Sequence, residues 1–511
     1  MVPQELLPFQ MVSDASLPGL TALGGLPLYL ELAHVARLRD AIRKHVHARR
    51  GCQGWTDAQM VLSLMLMQLA GGESVDDLRV LEGDEGFGRL LRRVEHHGLP
   101  RRERRALEWR WRKSRRRSVP SPSATFRYLT EFHDGEQEQR REEHRAIIPA
   151  SKPALQGLAA VNRALTGFVQ RWAPEEQATL DMDATLVASE KREALYCYKH
   201  FKSYQPLNVY WAEQGLVVHS EFRDGNVPAG YEIERVFAEA LAGLPQGVER
   251  VSLRSDTAGY DHRLLRYCAE GRSERFGVIE FAVGVDVTQA FKEAVAQVEA
   301  SEWQPLYRQS EGLRLKTDQE WAEVCFVPEW VAKGRRDTPA YRFLAIREPL
   351  RQLDLPGLEV VQQDLPFPVM EFGQQGRYKV FGIVTNRAIA GEELIGWSRA
   401  RCGASEGVHS EMKHGLAGGK LPSGLFGANA AWWAIMVLAL NLNTALKRLV
   451  LGGQWVTKRL KAIRYAIIHL PGRVVRHARC WWLRLSAGHP STDVVLAARE
   501  RIGLLARGSP G

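Results

Sequence analysis

The sequence predicts an α/β protein: a mixed sheet with an antiparallel β insertion, and helical segments at both ends. Three observations predict it. Residues 1–135 place apolar side chains three and four apart, the spacing of one helix face. From Ala178 the texture changes to short β-rich runs alternating with helical ones, and two of these runs end in aspartate. That is how α/β sheets present reactive groups. Between about Ser301 and Arg387, consecutive β runs are separated by Gly, Pro and Asp turns, the pattern of antiparallel strands.

A chain of 511 residues has room for roughly two to four domains. The reading divides it into helical residues 1–135 with a basic arm, 136–290 as the first part of an α/β core, 291–388 as the β insertion, 389–450 as returning core helices, and 451–511 as a basic helical region with a tail. The net charge of +10 is concentrated in Arg92–Arg117 and Lys447–Arg484, which favours a polyanionic partner. Six cysteines without a CxxC pair or a nearby histidine set exclude a zinc ribbon and a disulfide framework, and suit a reducing cytosol. No secretory signal and no internal repeat are evident.

In chain order, Leu26–Val46 predicts an amphipathic helix with a basic outer face, and Thr56–Ala70 a second, capped by Thr56 and stopped by Gly71–Gly72. Ser74–Leu81 begins a third. Short glycine turns between helices make a small bundle that can include a helix-turn-helix. Arg101–Ser118 (RRERRALEWRWRKSRRRS) reads either as a solvated charged loop or as a phosphate-tracking arm with Arg110, Arg112 and Lys113 as contacts. Ser123–Phe132 is a capped helix carrying Arg127, a candidate recognition helix, and 136–175 a mostly helical connector. Strands follow at Ala178–Asp183, Leu207–Trp211, Leu216–Phe222, Val248–Asp256 and Gly277–Gly284, with helices at Tyr231–Leu244 and Gly259–Glu270. The insertion contains EWAEVCFV, YRFLAIREPL, EVVQQ and YKVFGIVTNR. Helix returns from Gly391 to about Ser486. It includes the apolar run Ala428–Leu440, too short to span a bilayer and therefore a core helix, and ends in the basic amphipathic segment Thr457–Leu485 before a disorder-prone tail.

Three acids stand out: Asp183 and Asp256 at strand ends, and Glu406 on a polar helix that also carries His409 and Lys413 near the same face. Carboxylates from separate elements, without a Cys/His cluster, suit hard oxygen-seeking ions. Asp181 competes with Asp183, Asp261 with Asp256 and Glu411 with Glu406. Asp261 also reads as a helix cap, and His409 as a locally bonded side chain. Trp303, Trp321 and Trp330 in the insertion read as core or as base-stacking candidates, Trp303 foremost.

At Asp181–Thr185 (DMDAT), Leu253–Asp261 (LRSDTAGYD) and Arg401–Lys413 (RCGASEGVHSEMK) the chain resembles a DDE transposase of bacterial insertion sequences, in the group with a β insertion before the glutamate. GGESVDDL, YKVFGIVTN and LPSGLFGANAAW extend the resemblance over about residues 20 to 485. It implies an RNase H-like core in which Asp183, Asp256 and Glu406 are the catalytic, metal-binding acids. The cofactor implied is two Mg²⁺ or Mn²⁺ ions. Arg399, Arg401 and Lys413 are implied as DNA contacts, with Trp397 or Ser398 where the group commonly has Tyr, and Ala258 is an extra residue in the second motif. The partners implied are double-stranded DNA, both transposon ends and target, and a second copy in a dimeric synaptic complex, acting in the cytoplasm. Metal-dependent cleavage at terminal inverted repeats and 3′-OH strand transfer are the expected activity. Two rivals remain: a decayed transposase that only binds DNA, and a metal-dependent nuclease of the same core.

Overall fold

The computed structural model describes residues 17–49, 54–97, 99–113, 117–310, 312–329, 341–350, 367–373, 376–478 and 480–508. Helices α1 (Pro27–Val35), α2 (Leu38–His45), α3 (Asp57–Ala70), α4 (Leu78–Gly83), α5 (Glu85–Glu95), α6 (Arg101–Lys113), α7 (Pro122–Thr130), α8 (Gly135–Glu138) and α9 (Pro153–Trp172) come first. The single helix expected over Leu26–Val46 is two, broken where Arg37 turns left-handed at φ 52°. Thr56 caps α3 as expected: its hydroxyl accepts the Gln59 N–H, the Gln59 side chain accepts the Thr56 N–H at 3.0 Å, and Gly71 stops the helix at φ 104°. Most of Arg101–Ser118 is helix rather than loop. The connector is helical only over α8 and α9.

The sheet is built from β1 (Gln177–Ala184), β2 (Leu207–Trp211), β3 (Leu216–Glu221), β4 (Arg250–Ser255), β5 (Glu280–Val285), β6 (Gln304–Ser310), β7 (Leu313–Val324), β8 (Arg342–Pro349), β9 (Val369–Glu371) and β10 (Arg377–Thr385). Its order is β6-β7-β8-β10-β5-β4-β1-β2-β3, with β9 on β10. β1, β4 and β5 are parallel neighbours and β2–β3 an antiparallel hairpin, a mixed sheet of the RNase H-like kind. The inserted strands are antiparallel and extend this sheet: β10 pairs with β5 and β8 with β10, so the insertion continues the core rather than standing apart. EVVQQ and Trp330 lie outside the described residues.

One sheet face packs on α10 (Ile233–Gly243), α11 (His262–Ala269) and α12 (Gln289–Ala296), burying Leu180, Met182, Leu253, Phe281, Phe237, Leu264 and Phe291. The other face lies under α13 (Gly391–Ser410), through Leu394 and Ile395 against Ala282, Leu344 and Ile383. Beside it, α14 (Phe426–Ala445) runs through the largest core with α1, α3, α7 and α9 around it. Together with a π turn at Leu446–Leu451, α14 is long and apolar enough to cross a membrane, but it is largely buried within the protein and carries bonded asparagines. Asn441 donates to Asn162 Oδ1 at 2.7 Å and to the Val217 carbonyl at 2.8 Å and accepts from the Val217 N–H, while Asn443 accepts from Tyr29 Oη at 2.7 Å.

The C-terminal expectation is corrected. Helix ends with α15 (Leu460–Ile463) and a π turn, Pro471 stops it, and GRVVRHARCWWLRL forms a ribbon of β11 (Gly472–His477) and β12 (Cys480–Leu485) that also pairs with the short strand Leu20–Thr21. The adjacent pairs Val474–Val475 and Trp481–Trp482 supply β-branched and aromatic side chains that fit a pleated ribbon, which outweighs the basic helical pattern. The stretch read as tail then forms α16 (Thr492–Arg507).

Candidate active site

Strand parity sets the site. In β1, Ala178, Leu180 and Met182 point into the core under α10–α12, so Asp181 and Asp183 point to the face under α13. In β4, Leu253 points inward, so Arg254 and, just past the strand, Asp256 share that same face. The parallel pairing of β1 with β4 brings Asp183 and Asp256 close enough to repel. Asp286, just beyond β5, belongs to the same face, and burial, with Asp256 nearby, pushes its carboxyl up.

The two candidates on β1 are in different situations. Asp181 is fully buried and doubly bonded to Arg254: Nε donates to Oδ1 at 2.6 Å and Nη2 to Oδ2 at 2.8 Å. Arg254 also donates to the Trp397 carbonyl at 2.8 Å and lies 5.3 Å from the centre of the Trp397 ring. Asp181 is thereby fully used, and Trp397 anchors the start of α13. Asp183 meets Arg401 Nη1 at 3.0 Å and lies 3.9 Å from His409 Nδ1. Its carboxyl is pushed up to about 6: burial raises it, Arg401 draws it back, and Asp256 raises it again.

His409 belongs to a buried relay. Trp433 donates to Ser220 Oγ at 2.9 Å, Ser220 donates to Asn208 Oδ1 at 2.6 Å, and the Asn208 amide nitrogen faces His409 Nε2 at 3.2 Å. The amide can only donate, so Nε2 accepts and the ring proton sits on Nδ1, toward Asp183. Burial, with Lys413 and Arg401 nearby, pushes His409 down to about 4, which keeps it neutral at physiological pH.

Asp256 is half-buried and accepts the Ala258 N–H at 3.0 Å, so the extra residue of this motif closes a turn on the acid. Gly259 makes that turn possible, since a Cβ there would stand 2.5 Å from the Ser255 Cβ. Asp261 caps α11 through the Arg263 and Leu264 N–H groups, as read. Glu411 accepts the Leu460 N–H at 2.8 Å and serves to hold α15.

Glu406 sits on α13 between Arg401 and His409, with its side chain exposed. A three-residue offset puts it about 60° round the helix from His409. Among the described residues no three His, Cys, Asp or Glu groups converge at metal-binding spacing. The structure thus brings Asp183, Asp256, Arg401 and His409 together, with Lys413 on the π turn beyond them, and leaves Glu406 at the rim. Arg399 lies on the exposed side of α13 and Arg127 on the exposed side of α7. Arg110, Arg112 and Lys113 fall on α6, with side chains outside the described residues. Trp303 is 7% exposed, with the Arg347 guanidinium 4.1 Å from its ring centre and Phe372 edge-on. That burial places it in the core; Trp321 is likewise buried and touches Gly391. Sequence reading has Arg254 within the motif LRSDTAGYD but gives it no role. It missed Asn208 and Ser220, which carry no signal.

A hard divalent cation fits this donor set: two carboxylates repel across adjacent strand ends, and a cationic guanidinium stands on one of them.

A family model described as Transposase DDE domain group 1 matches residues 15–335 and 370–507. The unmatched stretch contains β8. No curated protein matches the sequence. A solved structure of the piggyBac transposase synaptic complex with hairpin DNA is 9% identical, with a TM-score of 0.41 over 96% of this chain and 83% of that one.

Proposed function

The chain belongs to the family of transposases with a group 1 DDE domain, and on that premise we propose that it cuts the ends of a mobile DNA element and joins the freed 3′-OH to target DNA. The observation that carries this reading is the Asp183–Asp256 pair, two mutually repelling carboxylates on the open face of adjacent strand ends with Arg401 standing on Asp183. The family depends on divalent metal. Asp183, Asp256 and Glu406 would hold it, and when bound it activates the attacking oxygen and stabilises the leaving one.

The protein's own groups do the rest. Asp181 and Arg254 lock β1 to β4, fixing the two acids relative to each other. Arg401 stands on Asp183 and partly offsets its charge, and its planar fork is suited to a DNA phosphate brought to the same site. Neutral His409 keeps an N–H directed at Asp183 without adding charge. Glu406 must turn inward from the rim of α13, and DNA bound along that helix supplies the occasion. Two copies hold two ends together.

The exposed position of Glu406 also supports a second reading, a protein that binds ends without cutting them. The separating experiment is Mg²⁺- or Mn²⁺-dependent cleavage and strand transfer on DNA bearing the element's own ends. Asp183→Ala, Asp256→Ala and Glu406→Ala are assayed alongside. Cutting and joining by the wild type alone, with all four proteins binding the ends, is the expected result. Binding without cutting establishes the second reading, and cut but never joined ends a nuclease.

A further inference from the structure

Between Met412 and Thr492 the chain has twelve Lys and Arg residues and not one Asp or Glu. The ribbon β11–β12 lies near the end of this stretch. Its register pairs Gly472 with Leu485 and Val474 with Leu483 on one face, and Arg473 with Arg484 and Val475 with Trp482 on the other. The first face packs inward: Val474 is fully buried, and Leu485 lies close to Gly24. The second face is therefore the outer one.

That outer face is unusual in three ways. Arg473 and Arg484 stand directly opposite each other, an arrangement that disfavours the ribbon by itself. Neither has a carboxylate partner among the described residues; Arg473 donates only to the Pro18 carbonyl, at 3.3 Å. The nearby acids are committed elsewhere. Asp84 accepts from Thr21 Oγ1 and the Ala22 and Phe87 N–H groups, and Glu85 from the Gly19 N–H and from Arg89. Trp482 is 54% exposed beside the arginine pair, and β12 is the edge of its sheet. Like charges held face to face, next to an exposed ring and without a counter-charge among the described residues, form a surface shaped for an external polyanion.

We propose that the outer face of the ribbon Gly472–Leu485 binds the phosphate backbone of duplex DNA. Arg473 and Arg484 straddle one phosphate and Trp482 packs on the adjoining sugar or base edge. The proposal rests on the transposase reading, which makes DNA the polyanion at hand, and adds a contact surface outside the DDE site. A two-stranded ribbon is narrow enough to enter a major groove. Arginine pairs its fork with phosphate, relieving the repulsion that the free protein carries.

The test measures affinity for a fluorescent duplex of arbitrary sequence across a salt series, for wild type, Arg473→Gln/Arg484→Gln, Trp482→Ala and Arg484→Glu. The double variant should bind about ten-fold more weakly at fixed salt, with the slope of log K against log salt reduced by about one to two. Arg484→Glu sets opposite charges across the ribbon, so it should melt no lower than wild type while binding DNA more weakly still. Unchanged affinity and slope in the double variant overturn the proposal. A lowered melting temperature in Arg484→Glu overturns it too, because the loss of binding is then structural. So does wild-type binding to phosphatidylserine vesicles in preference to duplex. Failure of the transposase reading is distinguishable: wild type then neither binds duplex nor cuts the element's ends, whereas failure of the ribbon alone leaves both intact.

Discussion

Asp183 is held against its chemical preference. A carboxyl raised to about 6 contributes stability that is fully present below its ordinary range near 4 and is lost as pH rises through 6. A divalent cation binds the ionised form and returns that stability. Mg²⁺ or Mn²⁺ should therefore raise the melting temperature at pH 7.5 and do little at pH 5, and Asp183→Ala should remove the difference, measured by differential scanning fluorimetry. Asp181 is also pushed up by burial, but the paired Arg254 guanidinium draws it back. Removing Arg254 leaves a buried carboxylate without its partner, so Arg254→Ala should cost about 3–5 kcal/mol in urea unfolding. Arg254→Lys should recover only part, since an ammonium cannot reproduce the two-pronged contact.

The elements show why some features are readable from sequence and others are not. Caps are local, so Thr56, Gly71 and Asp261 could be placed before any fold was known. Thr56→Ala should lower stability by about 1 kcal/mol, visible in thermal unfolding. Strand-end aspartates were legible for the same reason, each lying at the end of a β-rich run. The Asp181–Arg254 pairing was not, because it depends on the register of two parallel strands 73 residues apart. The choice of Asp183 over Asp181 came with the resemblance, and that pairing gives it a physical reason. The C-terminal ribbon was misread because basic residues three and four apart imitate a helix face, while the deciding signal, Pro471 followed by β-branched and aromatic pairs, is short. The rim position of Glu406 depends on the rotation of α13 about its axis, which Leu394 and Ile395 set from the far end of the helix.

At the scale of the whole molecule, the core around α14 joins residues from both ends of the chain: Tyr29, Leu64, Val161 and Ile502 belong to one cluster with Trp432 and Ile435. Asn441 stitches α14 to β3 and α9, and Asn441→Leu should cost about 2–3 kcal/mol by stranding the Val217 N–H and Asn162. By the same logic, a fragment ending after α9 should show no cooperative melting by circular dichroism, since it keeps the surrounding helices and lacks the one they surround. This has a consequence for biosynthesis. The helices that leave the ribosome first must wait for a partner translated much later, so the nascent chain stays immature until nearly all of it has been made. A product stopped before α14 lacks both the completed bundle and the ribbon. A chain that stops before α14 therefore cannot close the core that its first helices are built around.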